Sequence, residues 1–359
     1  MNIYYQGKTY NAFEPISGET DAYIGFALAF LADWQNGSRA FAFNTSGSTG
    51  TPKEIFLTRT QMQASAEGTL AALAMPAAQM ALVCLDIHFI AGRMMLLRAL
   101  IGGMNIILVK PSSDPVSDIP AGLQPDFAAM VPLQVQTILD SGTASEIKIL
   151  NSMQAVLLGG AAASPKLEEE ISKLETPFYH TFGMTETASH IALKAMNGAL
   201  KSEFYKVLPG VNISTDSRGC LTVEGPQAGT EPIITNDVVE ITAPGKFRWL
   251  GRADNIINTG GLKVQAEKVE AEIQAAFKAE GVTAEVFVCA MPHHRFGQQV
   301  TAIAEGVQPS DETGEYIVAR LREVLKREEM PKQWVWLRTF VRTATGKTDR
   351  ANTLKQITG

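Results

Sequence analysis

Residues 81–109, ALVCLDIHFIAGRMMLLRALIGGMNIILV, predict a strand, a helix and a second strand in succession. The apolar runs Ala81–Leu85 and Asn105–Val109 have the length of buried strands, and Ile90–Leu100 between them has helical periodicity. A Gly-Gly pair after the helix supplies the turn. Such alternation is typical of a mostly parallel sheet whose faces are covered by helices.

The alternation continues on both sides of this segment. Strand patterns recur at Phe127–Val131 and Ala155–Leu158, and helical patterns at Thr58–Leu73, Pro132–Leu139 and Ser164–Leu174. From about Val211, short β-like runs are separated by Gly, Pro, Asn and Asp, which indicates an antiparallel region. We therefore expect an α/β fold. A large N-terminal domain, residues 1–252, would combine mostly parallel sheets with the antiparallel β region, and a small C-terminal α+β domain would span residues 253–359.

The composition narrows the class of protein. The chain has 359 residues, of which 45% are hydrophobic and 19% charged, the balance of a soluble globular protein with room for two domains. A net charge of −6 gives no overall basic field for nucleic acid or an anionic membrane. The apolar stretch Met94–Val109 is shorter than the roughly 20 residues of a membrane span. Without a visible secretion signal we expect a cytoplasmic protein, and whether it is a homo-oligomer stays open.

Residues 43–53, FNTSGSTGTPK, combine five hydroxyl side chains, two glycines and a lysine. The glycines let backbone amides turn inward, the hydroxyls add donors and Lys53 adds positive charge, so the segment predicts a loop around a polyphosphate. It is not a Walker loop, because Pro52 precedes the lysine. A flexible surface loop is the alternative. The candidate phosphate ligands are Thr45, Ser46, Gly47, Ser48, Thr49, Gly50 and Lys53.

Three weaker segments follow along the chain. Residues 178–190, FYHTFGMTETASH, could place a ring on a purine, a hydroxyl on a phosphate and a carboxylate on Mg²⁺. Asp237 fits ribose hydroxyls, and Arg252 fits ribose or phosphate. Residues 342–350, RTATGKTDR, contain a Gly-Lys pair in a basic turn. Each alone is also explained as a helix start, a turn or a charged tail.

Together and in this order, the four segments resemble the adenylate-forming superfamily of acyl-CoA synthetases, nonribosomal-peptide adenylation domains and luciferases. The resemblance extends from about Phe41 to the C-terminus. It implies an enzyme that uses ATP and Mg²⁺ to convert a carboxylate into an acyl-adenylate.

The resemblance also implies a role for individual residues. The loop that ends at Lys53 would hold the β- and γ-phosphates, and the turn Gly159-Gly160 would pack against adenine and the acyl group. Phe182, followed by Gly183, would take the place of the usual tyrosine beside the purine. The implied reaction-centre residues are Thr185 at the α-phosphate, Glu186 at Mg²⁺ and Lys347 between carboxylate and α-phosphate, with Asp237 and Arg252 at the ribose.

A second half-reaction is implied by the same likeness. The C-terminal domain would be mobile and swing about Asp254, and the turn Gly260-Gly261 would line a tunnel for the pantetheine arm of coenzyme A. The thiol of coenzyme A would then take the acyl group. Val341 and Asn236 stand where the family usually has proline and glycine, but neither departure removes a charged catalytic group.

The front of the chain suggests which acid is activated. Residues 1–42 alone precede the phosphate segment, and residues 85–98 resemble the o-succinylbenzoate–CoA ligases of menaquinone biosynthesis, which usually have leucine at the position of Arg93. The likeness implies conversion of 2-succinylbenzoate, ATP and coenzyme A to 2-succinylbenzoyl-CoA, AMP and diphosphate. The carboxylate that is not activated needs a polar or cationic host. The candidates are His88, Arg93, Ser189 and His190; a solvated or structural helix charge is the alternative for Arg93 and Arg98.

Three alternatives stay open. The chain could be another aryl- or acyl-CoA ligase of the superfamily, a stand-alone adenylation enzyme that loads a carrier protein, or a nucleotide-binding sensor without catalysis. Retention of Lys53, Glu186 and Lys347 argues against the sensor, because sensing needs neither Mg²⁺ chemistry nor the terminal lysine. The expected partners are a small-molecule carboxylate, ATP and coenzyme A.

Overall fold

The computed structural model describes residues 1–14, 20–44, 54–76, 79–342 and 348–358. The chain divides into two compact units. The first comprises Met1–Ser214, Thr222–Ile233 and Ile241–Phe247, and the second comprises Thr215–Leu221, Ile234–Glu240 and Arg248–Gly359. The domain boundary after Arg252 stays a prediction.

The elements of residues 1–207 alternate between strands and helices. They are β1 (Asn2–Tyr5), β2 (Lys8–Asn11), α1 (Ala22–Gln35), β3 (Ala40–Asn44), β4 (Glu54–Thr58), α2 (Arg59–Ala72), β5 (Met80–Val83), α3 (Ile90–Ile101), β6 (Asn105–Leu108), β7 (Phe127–Met130), α4 (Pro132–Ser141), α5 (Ala144–Leu150), β8 (Ala155–Leu158), α6 (Pro165–Ile171), β9 (Phe178–Met184), β10 (Ser189–Ala195) and β11 (Tyr205–Val207). The predicted strands and helices of residues 81–158 agree with these bounds to within two residues.

The remaining elements are mostly strands. They are β12 (Asn212–Thr215), β13 (Cys220–Glu224), β14 (Ile233–Ala243), β15 (Lys246–Arg252), β16 (Ile256–Thr259), β17 (Leu262–Gln265), α7 (Ala266–Ala279), β18 (Glu285–His293), β19 (Gly297–Glu305), α8 (Asp311–Val324), β20 (Gln333–Leu337) and α9 (Arg350–Thr358). Within the described residues, no helix is long and apolar enough to cross a membrane.

The large sheet has a parallel centre. Strand β5 pairs in parallel with β6 and β7, β7 with β8, and β8 with β9. Beyond β9 the pairing is antiparallel, from β9 to β10, β10 to β11 and β11 to β15. The predicted α/β fold, with a mostly parallel sheet, an antiparallel region and a small C-terminal α+β unit, is confirmed. The carboxyl ends of parallel strands meet at one edge, where ligands bind in open α/β folds.

Helix α3 lies under this sheet and is apolar on nearly every side. Residues 94–99 are all buried, and the helix contacts α1, α2 and the strands β5, β6, β7 and β10. A helix that is hydrophobic all round is one that the fold covers completely. The one charged residue in that run, Arg98, is therefore enclosed together with the apolar side chains.

Strands β3 and β4 form a separate antiparallel pair. Their register places Asn44 opposite Glu54 at one end and Ala40 opposite Thr58 at the other. Residues 45–53 join the two strands at the Asn44–Glu54 end. Strand β4, which follows the predicted phosphate loop in the chain, contacts the short 3-10 turn Thr185–Thr187.

The second unit has its own core. Strands β17, β16, β19 and β18 form an antiparallel sheet in that order, and β20 joins β19 in parallel. Helices α7 and α8 cover one face and bury Ile273 and Phe277 from the first helix and Leu321 from the second. Burying each such side chain stabilises the fold by roughly 2 kcal/mol, so this unit has its own hydrophobic core.

The first turn of α3 packs closely against the preceding backbone at Gly92. A Cβ on Gly92 would lie 2.4 Å from the carbonyl oxygen of Asp86, whereas a Cβ on Gly25 in α1 would meet nothing within 4 Å. We expect Gly92→Ala to lower the free energy of unfolding by roughly 1–3 kcal/mol, because backbone must move. Gly25→Ala should raise it by about 1 kcal/mol through helix propensity. Urea denaturation measures both, and a shift in the same direction for both variants contradicts the packing.

His180 on β9 makes stability depend on pH. Its Nε2 donates to the carbonyl of Ala161 at 3.2 Å, and its Nδ1 accepts from the hydroxyl of Tyr205 at 2.6 Å. Burial lowers the pKa of His180 to about 4, with the Lys194 charge as a second cause. The unfolded chain takes up a proton below about pH 6.5 and the folded chain does not, so stability falls as pH drops from 6.5 towards 4.

The size of that loss is about 3 kcal/mol for a shift of this extent. We expect the stability advantage of the wild type over His180→Gln to shrink between pH 7 and pH 4 in chemical denaturation. A difference that stays constant across this range contradicts a neutral, buried His180.

Candidate active site

The threonine–glutamate turn connects β9 to β10 through strained backbone. Ala188 and Ser189 follow the 3-10 turn with φ of 50° and 92°, in the left-handed region that costs a non-glycine residue about 1–3 kcal/mol. The Ser65 hydroxyl donates to the carbonyl of Ala188 at 2.7 Å, and the Thr187 hydroxyl donates to that of Ser189 at 2.8 Å. Two side-chain bonds thus fix the turn in one conformation.

The glycine of the FGMTE segment is required by the same turn. A Cβ on Gly183 would lie 2.2 Å from the Ser189 carbonyl oxygen and 2.4 Å from the His190 Cα. No side chain fits between these backbones. Strands β9 and β10 therefore approach closely enough to present Thr185 and Glu186 at their connection, and both residues are half-buried.

The Gly159-Gly160 turn packs against β9. A Cβ on Gly159 would lie 2.5 Å from the Thr181 hydroxyl, and Gly160 has a φ of 86°. Thr181 donates to the Leu158 carbonyl at 3.2 Å. This contact brings the predicted adenine turn beside the strand that carries Phe182.

Phe182 belongs to a cluster of rings. Its centroid lies 5.5 Å from that of Tyr205 and 5.1 Å, edge to face, from that of Phe247. Tyr205 and Phe247 stack on each other at 5.3 Å. The cluster packs Phe182 against two other rings, and its place beside a purine stays a prediction.

A buried polar cluster surrounds Arg98, which is 1% exposed. Arg98 Nε donates to the Thr69 hydroxyl at 3.2 Å, and Nη2 donates to the Ser189 hydroxyl at 3.3 Å and to His190 Nδ1 at 3.4 Å. His190 Nε2 lies 2.9 Å from the Thr69 hydroxyl, which itself donates to the Ser65 carbonyl at 2.8 Å. Because Nδ1 accepts from Arg98, Nε2 carries the proton that His190 gives to Thr69.

The cluster holds positive charge without an acidic partner. Among the described residues, no carboxylate lies within ion-pair distance of Arg98, and Nη1 has no hydrogen-bond acceptor. Burial lowers the pKa of Arg98 to about 9. Burial and the nearby Arg98 charge hold the pKa of His190 well below its usual range, so the imidazole is neutral. The arrangement can accept a carboxylate, which would offset the desolvation of the guanidinium.

Of the two interpretations of Arg98 as a helix charge, the solvated one is wrong, and the structural one agrees with its burial. The residue lies in the most buried helix and contacts Thr69 of α2 and Ser189 of β10, which are remote in sequence. The available signal was the arginine itself, as the charge that interrupts an apolar stretch. Nothing in the local pattern pointed to Ser65 or Thr69 as its neighbours.

Two of the four predicted acyl residues lie elsewhere. His88 is exposed, pairs with Asp86 at 2.7 Å and packs on Phe26 with 4.5 Å between ring centroids. Arg93 donates to backbone carbonyls, including that of Ala42. Ser189 and His190 adjoin Arg98. Of the four candidates for the acyl site, these two share a cluster with Arg98, whereas His88 and Arg93 have other partners.

The predicted ribose and hinge residues lie in the second unit. Asp237 accepts from the Trp249 indole at 2.9 Å. Arg252 binds Asp254 with two parallel bonds of 2.9 and 2.8 Å, and this pair lowers the pKa of Asp254. The turn between β16 and β17 contains Gly260 and Gly261, with φ of 58° and 84°, which glycine adopts without strain.

Eight predicted residues lie outside the described residues. They are Thr45, Ser46, Gly47, Ser48, Thr49, Gly50, Lys53 and Lys347. The chain on either side of residues 343–347 is described: Arg342 and Thr348 form a β-bridge, and Arg342 pairs with Glu285 at 2.7 Å and with Glu305. The two ends of the segment that carries Lys347 are thus held together.

Comparison with known proteins agrees with these features. Residues 17–227 match the AMP-binding enzyme family. An acyl-CoA synthetase (AMP-forming)/AMP-acid ligase II-like protein from Dyadobacter fermentans is 37% identical, with 94% of this chain and 95% of that chain covered and a TM-score of 0.64. The 2-succinylbenzoate–CoA ligase of Escherichia coli (strain K12) is 27% identical over 323 residues, which cover 86% of this chain and 67% of that protein.

A solved neighbour shares the fold at lower identity. The o-succinylbenzoate CoA synthetase MenE from Bacillus subtilis, in complex with the acyl-adenylate intermediate OSB-AMP, has a TM-score of 0.71 at 22% identity, with 88% of this chain and 68% of that chain covered. The same protein has been solved with ATP and a magnesium ion. These matches confirm the resemblance to the adenylate-forming enzymes and the assignment to the AMP-forming acyl-CoA ligases. The chain belongs to the AMP-binding enzyme family.

Proposed function

We propose that the chain joins 2-succinylbenzoate to coenzyme A through an acyl-adenylate. The observation that carries this proposal is the buried Arg98, whose guanidinium has no acidic partner in the described part of the chain. 2-Succinylbenzoate has two carboxylates, and the one that is not activated needs such a host. The names of the Escherichia coli and Bacillus subtilis relatives support the same acid and, with it, a role in menaquinone biosynthesis.

The Arg98 cluster would recognise the free carboxylate. Nη1 offers two donors in the planar geometry that a carboxylate accepts. Ser189 and His190 hold the other nitrogen, so the guanidinium cannot rotate without breaking buried bonds. A ligand with one carboxylate would leave the buried charge uncompensated. The site therefore favours dicarboxylic acids over benzoate or a fatty acid.

Adenylation would take place beside the threonine–glutamate turn. An oxygen of the substrate carboxylate attacks the α-phosphorus, and the bond to pyrophosphate breaks. Thr185 would contact the α-phosphate, residues 45–53 the outer phosphates, and Lys347 the carboxylate and α-phosphate together, where its charge stabilises the transition state.

Mg²⁺ would be held at the same turn. The Glu186 carboxylate and the Thr185 hydroxyl are oxygen donors of the kind Mg²⁺ prefers, and one carboxylate with substrate phosphates is its usual set. When bound, the ion neutralises charge on the phosphates. Glu186 is half-buried and lies two residues before the strained Ala188.

Thioester formation would complete the reaction. The thiol of coenzyme A attacks the acyl carbon, the bond to AMP breaks, and the thiol proton passes to solvent. We place the domain boundary after Arg252, with Asp254 as the hinge and Gly260-Gly261 beside the pantetheine arm. In this view Arg252 has to share its guanidinium between Asp254 and the ribose.

Substitution of Arg98 should affect acids with one carboxylate and acids with two carboxylates differently. Arg98→Met should lower kcat/KM for 2-succinylbenzoate by about 100-fold or more in ATP–pyrophosphate exchange, because one charge-assisted carboxylate pair is lost. Activity with benzoate, which has no second carboxylate, should change less than threefold. Arg59→Met, which removes an arginine that stacks on Trp34 at 4.1 Å, is the matched control. Equal losses on both acids contradict the proposed role.

Substitution of Lys347 should affect adenylation and thioester formation differently. Lys347→Ala should abolish adenylation, measured as pyrophosphate exchange, and spare thioester formation from supplied acyl-adenylate. Lys355→Ala on α9 controls for loss of a C-terminal lysine. Equal loss in both half-reactions shows that the assignment of Lys347 is wrong.

A further inference from the structure

Arg93 uses its guanidinium to join two segments of backbone. Nη1 donates to the carbonyl of Ala42 in β3 at 2.8 Å. Nε donates to the carbonyl of Ile87 at 3.1 Å, and Nη2 to that of His88 at 3.2 Å. All three acceptors are main-chain oxygens, two from the loop before α3 and one from the separate β3–β4 pair.

Two aromatic rings lie close to this guanidinium. Its central carbon lies 4.5 Å from the centroid of Phe43 and 5.1 Å from that of Phe26. Phe43 is buried, and it directly follows the residue that accepts the 2.8 Å bond. Because each of its three nitrogens bonds a main-chain carbonyl, Arg93 is committed to the backbone rather than to a substrate carboxylate.

The strand that Arg93 holds leads into the predicted phosphate loop. Ala42 and Phe43 are followed by Asn44, which pairs with Glu54 across residues 45–53. Strands β3 and β4 are not part of the large sheet. The three Arg93 bonds therefore fix the entry of this loop relative to α3, the helix that also carries Arg98.

The three main-chain acceptors suit arginine. Leucine has no donor for the three carbonyls. A lysine could reach one carbonyl as a point charge but could not serve three in one plane. The geometry calls for arginine.

We propose that Arg93 is a positioning residue for the nucleotide half of the site, which fixes the strand entering residues 45–53 and so controls ATP affinity. The proposal rests on the proposed function. It differs from the prediction that Arg93 binds the acid, because the two assign the arginine to different substrates.

The test measures each substrate separately. In ATP–pyrophosphate exchange, Arg93→Leu and Arg93→Gln should raise KM for ATP about tenfold, as expected for loss of one to two net hydrogen bonds. KM for 2-succinylbenzoate should stay within twofold. Thioester formation from supplied acyl-adenylate should be unchanged, because that step does not use the outer phosphates. Arg93→Lys should restore less than half of the lost ATP affinity.

Arg59→Leu is the matched control. Arg59 bonds the Trp34 carbonyl at 2.5 Å at the opposite end of the β3–β4 pair, away from residues 45–53. It should lower thermal stability and leave KM for ATP unchanged. ATP binding measured by calorimetry without any acid gives the same comparison independently of which acid is activated, so failure of the proposed substrate does not obscure the result.

Two results overturn the proposal. A rise in KM for the acid with unchanged KM for ATP returns Arg93 to the acyl site. Unchanged ATP affinity in both Arg93→Leu and Arg93→Gln, with only a lower melting temperature, makes the residue a structural one.

Discussion

The first unit depends on one constraint, a buried guanidinium for which the described part of the chain supplies no counter-ion. Arg98 is enclosed by α2, α3 and β10, and bonds to Thr69, Ser189 and His190 offset part of its desolvation. The same bonds tie two helices to the strand after the threonine–glutamate turn. An unpaired buried charge is costly to folding, and a bound carboxylate would offset that cost. In the proposed function the lost stability is the counterpart of anion recognition.

In the proposed site, the strained turn and the two arginines of α3 have different roles. In the proposed function Arg98 would face the acid, and the hydroxyl of Ser65 on α2 holds the turn. Arg93, less than two turns earlier on α3, bonds the strand that precedes the predicted phosphate loop. One helix would then fix the acyl and nucleotide sides relative to each other, as a displacement reaction between two bound substrates requires.

The sequence was informative where function is local. Strand and helix periodicity predicted the alternating first unit. Gly183 was identified from the FGMTE segment, and the structure supplies the physical reason for glycine there, because the turn leaves no room for a side chain. The sequence did not predict contacts between residues that lie far apart along the chain. Thr69 and Ser189 lie 29 and 91 residues from Arg98, and α3 is apolar on all sides, so periodicity could not tell an enclosed arginine from a surface one. Arg93 and His88 were assigned to the acid from the residue types that carboxylates attract, but backbone carbonyls attract the same donors.

In the proposed function Arg98 receives the carboxylate that is not activated. A crystal structure of the chain with 2-succinylbenzoate and a non-hydrolysable ATP analogue tests this role most directly. We predict one carboxylate about 2.8 Å from Arg98 Nη1, the usual length of a charge-assisted bond, and the other beside Thr185 and Glu186. A structure in which Nη1 instead bonds a protein carboxylate, or in which the free carboxylate of the acid lies away from Arg98, contradicts it.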